Sequence, residues 1–374
     1  MATARRLRKK PQNADLTTPL ASVPLLSTDE LGEQARRAAE EILIAGQAEN
    51  TLRSYRSALR YWCAWAQARY GKALVLPVSV PVVVQFVVDH LARGPASRPK
   101  CELPDAIDEL LVGSGFKGSS GPLKMATVVH RVAVLSKLHQ LRRMTNPCED
   151  PHLRHLLSQA KRAAAKRGET TSKKTAATLA PLEAMIATCD ESLEGIRDKA
   201  LLLFAWSSGG RRRSEVAAAT MDQLTRNGPG DYSFRLGRSK TNQEGNHPSP
   251  DKPVVGAAGY ALEAWLNAAN ITDGPVFRRL WKSTVGASLN GASVASIVRR
   301  RAHLAGIDGD WAGHSLRSGF VTEAGKQNVP LGDVMAMTEH RKVDTVLGYF
   351  RAGELSRSVV GNLFDHNSSK PPKR

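Results

Sequence analysis

An apolar segment in the second half of the chain, KALLLFAW, runs directly into two serines, two glycines and three arginines, Arg211–Arg213. The apolar run predicts a buried segment, and the paired glycines predict a tight turn at its end. The fold must therefore bury this segment and place three guanidinium groups where it leaves the core. Clustered guanidiniums suit a planar anion such as phosphate, and a solvated surface cluster is the alternative.

The overall charge favours a polyanion partner. The chain has 374 residues, enough for two domains, and its 53 lysines and arginines against 35 acidic residues give a formal net charge of +18. Such an excess indicates nucleic acid first and an anionic membrane second. The sequence contains no run of 18 apolar residues, so no membrane span is expected. No apolar segment follows the basic N-terminus, MATARRLRKK, so we do not interpret it as a secretory signal and expect a cytoplasmic, nucleoid-associated protein.

The four cysteines, Cys63, Cys101, Cys148 and Cys189, lie far apart in the sequence. Their spacing fits neither a zinc site nor a disulfide framework, and they resemble ordinary cytosolic thiols. The sequence also lacks a phosphate-binding glycine loop and an acidic metal-binding cluster. We therefore expect no metal ion and no other cofactor.

Helical patterns dominate between two polar ends. Residues 1–30 are polar and basic and are interpreted as a disordered tail, and residues 366–374 form a second polar tail. The pattern predicts a helical domain over 31–170 and a second domain over 177–365. A stretch rich in Gly, Pro and Ser at 94–122 is typical of a loop around a short helix, and it has no assigned role.

The segment TLRSYRSALRYWCAWAQARYG predicts a long amphipathic helix with Asn50 as its N-cap. Its aromatic stripe, which includes Trp62 and Trp65, is interpreted as core rather than as a base-stacking platform. Arg53 and Arg56 recur on the other side of the helix, where they are candidates for DNA contact.

A basic helix, DPHLRHLLSQAKRAAAKRG, ends the first domain. Its candidate DNA-binding residues are Arg154, Lys161, Arg162, Lys166 and Arg167. With the polar stretch ETTSKKT they are typical of a linker that lies along a DNA backbone, and a solvated helix face is an equal alternative. We place the domain boundary near Arg167 to Ala176.

The second half is mostly helical, with patterns such as ASVASIVRRRAHLAG and SLRSGFVTEAGKQN. The segment DYSFRLGRSKT instead alternates as a strand that leads into a turn. The predicted fold class is therefore mainly α with a small β-sheet in the C-terminal domain (α+β).

Polar residues of this second half follow one another in a recognisable order. They are Arg212, Glu215, Lys240, His314, Arg317, His340 and Tyr349. Each alone is usually structural, but together in a basic domain they form a candidate active site. In order and spacing the set resembles the tyrosine recombinase (phage integrase) family, and GRSKT and HSLRSG are similar to the Cre group in particular. The resemblance covers about 177–365, and the N-terminal helices are similar to the family's core-binding domain more loosely.

The resemblance selects one of the three arginines. Arg212 matches because it stands three residues before Glu215, and Arg211 and Arg213 are then interpreted as DNA-backbone contacts or surface charges. The sequence MTEHRK departs from the Leu-Gly-His of many relatives; it keeps His340 but changes the packing before it.

The resemblance implies proton transfers at a DNA phosphate. Tyr349 would be the nucleophile, and because a phenol has an ordinary pKa of about 10 it needs a positive field and a proton acceptor. His314 would accept or assist in accepting that proton. Lys240 would protonate the 5′ oxygen that leaves.

The resemblance also implies stabilisation of the phosphate itself. Arg212 and Arg317 would each bind its nonbridging oxygens. His340 would hydrogen-bond the phosphate or steady the tyrosine segment, and Glu215 would orient its neighbours.

The implied function is a site-specific DNA recombinase that works through a 3′-phosphotyrosyl intermediate and requires neither ATP nor a metal ion. Its partners would be double-stranded DNA sites, held two at a time by a homotetramer, with accessory DNA-bending proteins as optional partners. Two alternatives stay open: a type IB topoisomerase-like enzyme, and a non-catalytic DNA-binding protein on the same fold.

Overall fold

The computed structural model describes residues 49–169, 174–237, 250–282, 284–340, 342–344 and 346–348, with scattered residues between 32 and 46. The predicted tails lie outside these ranges. The chain divides into two compact units, Met1–Thr171 and Ser172–Arg374. Within the described ranges, none of the helices combines the length and hydropathy that a membrane span requires.

The first unit is helical. Its described helices are α1 (Glu49–Tyr70), α2 (Val80–His90), α3 (Asp105–Gly113), α4 (Met125–Leu141) and α5 (Pro151–Lys166), with a 3-10 turn at Pro147–Glu149. The short helix predicted within 94–122 is α3. The predicted N-cap at Asn50 is wrong, because α1 already includes Glu49, whose carboxylate accepts a hydrogen bond from Arg53 in the first turn at 2.7 Å.

The aromatic stripe of α1 lies in the core of this unit, as predicted. Trp62 and Trp65 are fully buried, and Trp62 stacks on Phe86 of α2 with ring centroids 3.7 Å apart. The indole N–H of Trp65 donates to the buried carboxylate of Asp89 at 3.0 Å. An aromatic pair of this kind contributes about 1 kcal/mol beyond its buried area, which fixes α1 against α2.

The second unit combines helices with two small antiparallel sheets. Its described helices are α6 (Leu179–Ala187), α7 (Leu193–Ser207), α8 (Arg213–Ala217), α9 (Ala257–Ala268), α10 (Gly291–Leu304), α11 (Gly313–Lys326) and α12 (Leu331–Thr338). The strands β1 (Leu224–Gly228), β2 (Asp231–Phe234) and β3 (Lys252–Val255) form one sheet in that order, and β4 (Arg278–Trp281) pairs with β5 (Thr284–Ser288). The mainly α fold with small sheets is confirmed, and β2 begins the strand predicted from DYSFRLGRSKT.

The buried helix predicted from KALLLFAW is α7. Ser192 caps its start by accepting from the backbone N–H of Gly195 at 3.1 Å, and Phe204 packs edge-on against Phe234 and Phe277 in the core. After the helix, Gly209 and Gly210 have φ values of 96° and 64°. Only glycine adopts such left-handed angles readily, so this pair turns the chain sharply before the three arginines.

Candidate active site

Arg212 is held at the start of α8 by Glu215. The Arg212 backbone N–H donates to Glu215 Oε2 at 3.0 Å, and its guanidinium Nη1 donates to Oε1 of the same carboxylate. The Glu215 side chain is buried, whereas the Arg212 side chain keeps 22% of its surface exposed. The carboxylate therefore orients a guanidinium that remains accessible to an anion from solvent.

His314 and Arg317 lie three residues apart in the first turns of α11 and so share one face of the helix. His314 keeps exposed surface, whereas Arg317 is buried. Arg317 Nη1 donates to the carbonyl of Gly210 at 3.1 Å, and its Nη2 donates to the carbonyl of Thr338. One arginine thus joins the glycine turn, α11 and the end of α12.

His340 follows α12 and contacts Arg317. Arg317 Nη2 lies 3.2 Å from His340 Nε2, and His340 Nδ1 lies 2.7 Å from the hydroxyl oxygen of Thr338. The Thr338 hydroxyl donates its own proton to the carbonyl of Val334 at 2.7 Å. It therefore accepts from Nδ1–H, which leaves Nε2 unprotonated toward Arg317. Arg317 Nη2 also lies 3.3 Å from Nδ1, and the Thr338 contact favours the tautomer with its proton on that nitrogen.

The electrostatics of the cluster follow from burial and crowded cations. Burial, and then the charges of Arg212 and Arg211, lower the pKa of Arg317 to about 9, so it remains cationic at neutral pH. Burial and then Arg317 and Arg212 lower the pKa of His340 to about 3, and the same causes lower the pKa of His314. The charged forms are disfavoured, so a bound anion would relieve the repulsion.

Arg211 has a different place from the one expected. Sequence reasoning assigned it to the DNA backbone or the surface, but its side chain is fully buried and donates to the carbonyl of Met337. The surface assignment is wrong because the turn at Gly209 and Gly210 directs the chain back toward the end of α12. Arg213 is exposed, and its side chain lies against Gly313 at the start of α11.

The other DNA-contact candidates belong to the first unit. The side chains that are exposed are Arg53, Arg56, Arg154, Lys161, Arg162 and Lys166. Arg167 is half-buried and donates to Glu169 at 2.8 Å. Exposure makes the first six available to a phosphate backbone, and their role in DNA binding stays a prediction.

Two residues of the predicted set, Lys240 and Tyr349, lie outside the described residues. In the chain, Lys240 stands between β2 and β3, and Tyr349 directly follows described helical residues at 346–348. The structure therefore brings together Arg212, Glu215, His314, Arg317 and His340. Over the ranges described, no three His, Cys, Asp or Glu side chains converge as metal ligands.

Sequence comparison identifies relatives of this chain. Residues 178–354 match the phage integrase family model. An integrase/recombinase xerD homolog of Selenomonas ruminantium is 28% identical over 344 residues, which are 90% of each chain.

Two solved structures share the fold. A lambda integrase dimer bound to a COC′ core site aligns with a TM-score of 0.50 at 16% identity, covering 85% of this chain and 95% of that one. The Tn1549 transposon integrase in complex with transposon right end DNA aligns with a TM-score of 0.50 at 12% identity, covering 86% and 98%.

The arginine–histidine cluster lies within residues 178–354, the part of the chain that matches the family model. The second unit is therefore similar to the phage integrase family over residues 178–354.

Proposed function

We propose that this protein cuts and rejoins DNA at specific sites through a covalent 3′-phosphotyrosyl intermediate. The observation that carries the proposal is the convergence of Arg212, Arg317 and His340, with His314 one turn before Arg317, in the unit that matches the family model. Two cationic arginines beside two neutral imidazoles suit a phosphodiester, which is anionic and must gain negative charge to react.

The arginines have the electrostatic role. Attack on the phosphate makes its nonbridging oxygens more negative, and donors placed at those oxygens lower the barrier by about 3 to 4 kcal/mol each. Arg212 is oriented by Glu215, and Arg317 by the carbonyls of Gly210 and Thr338, so neither needs to be ordered when DNA binds. This fixed orientation is what allows a donor to stabilise a transition state more than the ground state.

Proton movements complete the reaction. His314, with its lowered pKa, is neutral at neutral pH and is therefore the base that accepts the Tyr349 proton. The Tyr349 oxygen forms a bond to phosphorus, the bond to the 5′ oxygen breaks, and Lys240 supplies the proton that this oxygen takes up. The energy of the phosphodiester is kept in the new linkage, so a 5′ hydroxyl of another strand reverses the reaction without ATP or metal.

The recombinase reading is favoured over the alternatives. The relative with 90% coverage of both chains is named an integrase/recombinase, which argues against a topoisomerase-like enzyme. A non-catalytic DNA-binding protein on the same fold would be expected to lose part of the polar set, whereas all seven of its residues are present in this sequence. We further infer that four protomers hold two DNA sites in the cytoplasm, that the exposed cations of α5 follow the DNA backbone, and that bending proteins assist where the sites require it.

The test of the function is covalent capture of the nucleophile. A nicked duplex drawn from the DNA that flanks the gene should trap wild-type protein as a denaturant-resistant adduct, because the short fragment that carries the freed 5′ hydroxyl diffuses away and cannot reverse the reaction. Tyr349→Phe removes one hydroxyl and keeps the ring, so it should abolish the adduct and leave duplex binding nearly unchanged.

Tyr260→Phe is the matched control, since Tyr260 is 59% exposed on α9 and has no part in the proposed chemistry. It should form the adduct at the wild-type rate. An adduct that persists in Tyr349→Phe would place the nucleophile elsewhere and contradict the mechanism.

A further inference from the structure

The C-terminal end of α12 is surrounded by cations. The last carbonyls of a helix have no donor within the helix, and here Met335 receives the backbone N–H of Glu339 at 2.8 Å. The next three carbonyls are each bound by a different cationic side chain: Ala336 by Lys252 Nζ at 2.7 Å, Met337 by Arg211 Nη2 and Thr338 by Arg317 Nη2.

These three cations come from distant parts of the chain. Lys252 begins β3, Arg211 follows the glycine turn, and Arg317 lies in α11. The turn reaches the helix end closely: a Cβ on Gly209 would collide with the Met337 carbonyl. Cations are favourable at a helix C-terminus because the helix dipole is negative there.

Two of the cations have no access to solvent. The side chains of Arg211 and Lys252 are 0% and 1% exposed. Arg211 Nη1 lies 3.8 Å from Glu215, and Lys252 Nζ lies 3.8 Å from Glu339. Burial lowers the pKa of both cations, and the two carboxylates oppose that effect. Burying a charge costs several kcal/mol, which is more than is needed to satisfy the carbonyls at a helix end. The arrangement is therefore explained better if it also fixes the position of a neighbouring group.

Glu339 is the residue at which the direction of the chain changes. Its φ and ψ are 57° and 38°, a left-handed conformation that glycine adopts more easily than glutamate, at a difference of about 1 kcal/mol. Its side chain is 13% exposed and faces Lys252. His340 is the next residue, so the backbone conformation of Glu339 sets the position of the His340 imidazole.

We propose that Arg211, Lys252 and Glu339 form a buried ionic support that fixes the end of α12 and thereby positions His340 beside Arg317. Arg211 and Lys252 touch neither the phosphate nor the nucleophile in this scheme; they are positioning residues. The proposal rests on the proposed function in taking His340 as part of the active site. It also accounts for the change from Gly to Glu in MTEHRK, since the carboxylate supplies the anion that two buried cations need.

The test compares three variants well below their melting temperatures. Lys252→Met keeps the length of the side chain and removes its charge, and Glu339→Gly removes the carboxylate while relieving the left-handed backbone. Both should lower the single-turnover cleavage rate at saturating DNA about tenfold, with the dissociation constant of the DNA within twofold of wild type. Both should also move the NMR titration midpoint of the His340 ring toward its ordinary value.

Arg301→Met is the matched control. Arg301 is another buried arginine at the end of a helix: it donates to the carbonyl of Thr188, the C-cap residue that follows α6, at 2.7 Å, and it contacts the buried carboxylate of Asp198. Its loss should lower the melting temperature and leave the cleavage rate of the folded protein and the His340 titration unchanged.

The proposal would be overturned if Lys252→Met and Glu339→Gly cleaved DNA at the wild-type rate and left the His340 titration unchanged. The ionic cluster would then contribute to stability only. The titration needs no DNA, so it separates failure of this proposal from failure of the proposed function. If wild-type protein cleaves no DNA while the titration moves as expected, the support stands and the reaction is wrong.

Discussion

The cations of the two units are arranged in opposite ways. In the second unit Arg211, Arg317 and Lys252 are buried, and each donates to a carbonyl of α12. In the first unit the cations of α5, such as Lys161 and Lys166, are exposed on a helix that buries only Leu153 and Ala164.

The difference separates cations that fix the geometry of the site from cations that contribute affinity for DNA. A buried arginine loses its hydration on folding and is stable only with oriented acceptors, so its position is defined before any ligand binds. An exposed lysine costs almost nothing to fold and has no defined position, but it releases counterions when it meets a phosphate. We therefore expect the buried cations to govern the cleavage rate and the exposed cations to govern binding and its salt dependence.

The largest expected effect is that of Arg317→Ala. It deletes the proposed donor to the phosphate and also the contacts with His340 and the α12 end. We expect a loss of cleavage of 100-fold or more, from about 3 kcal/mol of lost transition-state stabilisation. The measurement is single-turnover adduct formation at saturating DNA.

Arg317→Lys separates charge from geometry. A lysine keeps the charge but lacks the forked donors that reach two acceptors at once, so it should recover only a small part of the rate. Full recovery of the cleavage rate, or a loss confined to DNA affinity, would show that Arg317 acts only through its charge. The distinction between the buried and the exposed cations would then fail.

The next effect in size is that of neutralising α5. Replacing Lys161, Arg162 and Lys166 by Gln should weaken duplex binding of every sequence alike by about 10- to 100-fold at moderate salt. The slope of log affinity against log salt should become shallower by up to about 3, at roughly 0.9 for each phosphate contact. The cleavage rate at saturating DNA should be unchanged.

The control removes the same charge from elsewhere in the first unit. Lys72, Arg98 and Lys100 are exposed and lie outside the helices, so their replacement by Gln changes the net charge equally. If both triple variants lose the same affinity, α5 has no special contact with DNA and its exposed face is only solvated.

The elements that could be predicted are those whose patterns are local. The helical period marks α1 and the apolar run marks α7, and three-residue spacing is enough to place His314 and Arg317 on one face of α11. Glu215 could be assigned an orienting role because it stands three residues after Arg212 and one helical turn brings them together.

What could not be predicted depends on contacts between distant residues. Nothing local distinguishes Arg211 from Arg213, yet one is buried and the other exposed, because the partner of Arg211 is a carbonyl 126 residues away. Lys252 stands in the polar stretch SPDKPVV and does not resemble a buried strand residue until α12 is placed over it. The hairpin of β4 and β5 is short and has weak alternation, so its pattern carried no strand prediction.

The smallest expected effect is on stability in acid, and it tests the buried set without DNA. The pKa of His340 falls from its ordinary value of 6.5 to about 3 in the folded protein, through burial and the nearby Arg317. Between these values the unfolded chain binds a proton that the folded chain does not, so the stability contributed by a neutral His340 is complete above pH 6.5 and decreases as the pH falls toward 3.

His340→Asn removes this dependence, while His314, whose pKa is lowered in the same direction, keeps a remainder. Melting temperatures measured from pH 7.5 to pH 5 should therefore fall by about 2 to 4 °C more in wild type than in His340→Asn. If the melting temperatures of wild type and His340→Asn changed equally with pH, burial and the charge of Arg317 would not be lowering the pKa of His340. The contrast between buried, fixed cations and exposed, unfixed ones would then fail at the active site.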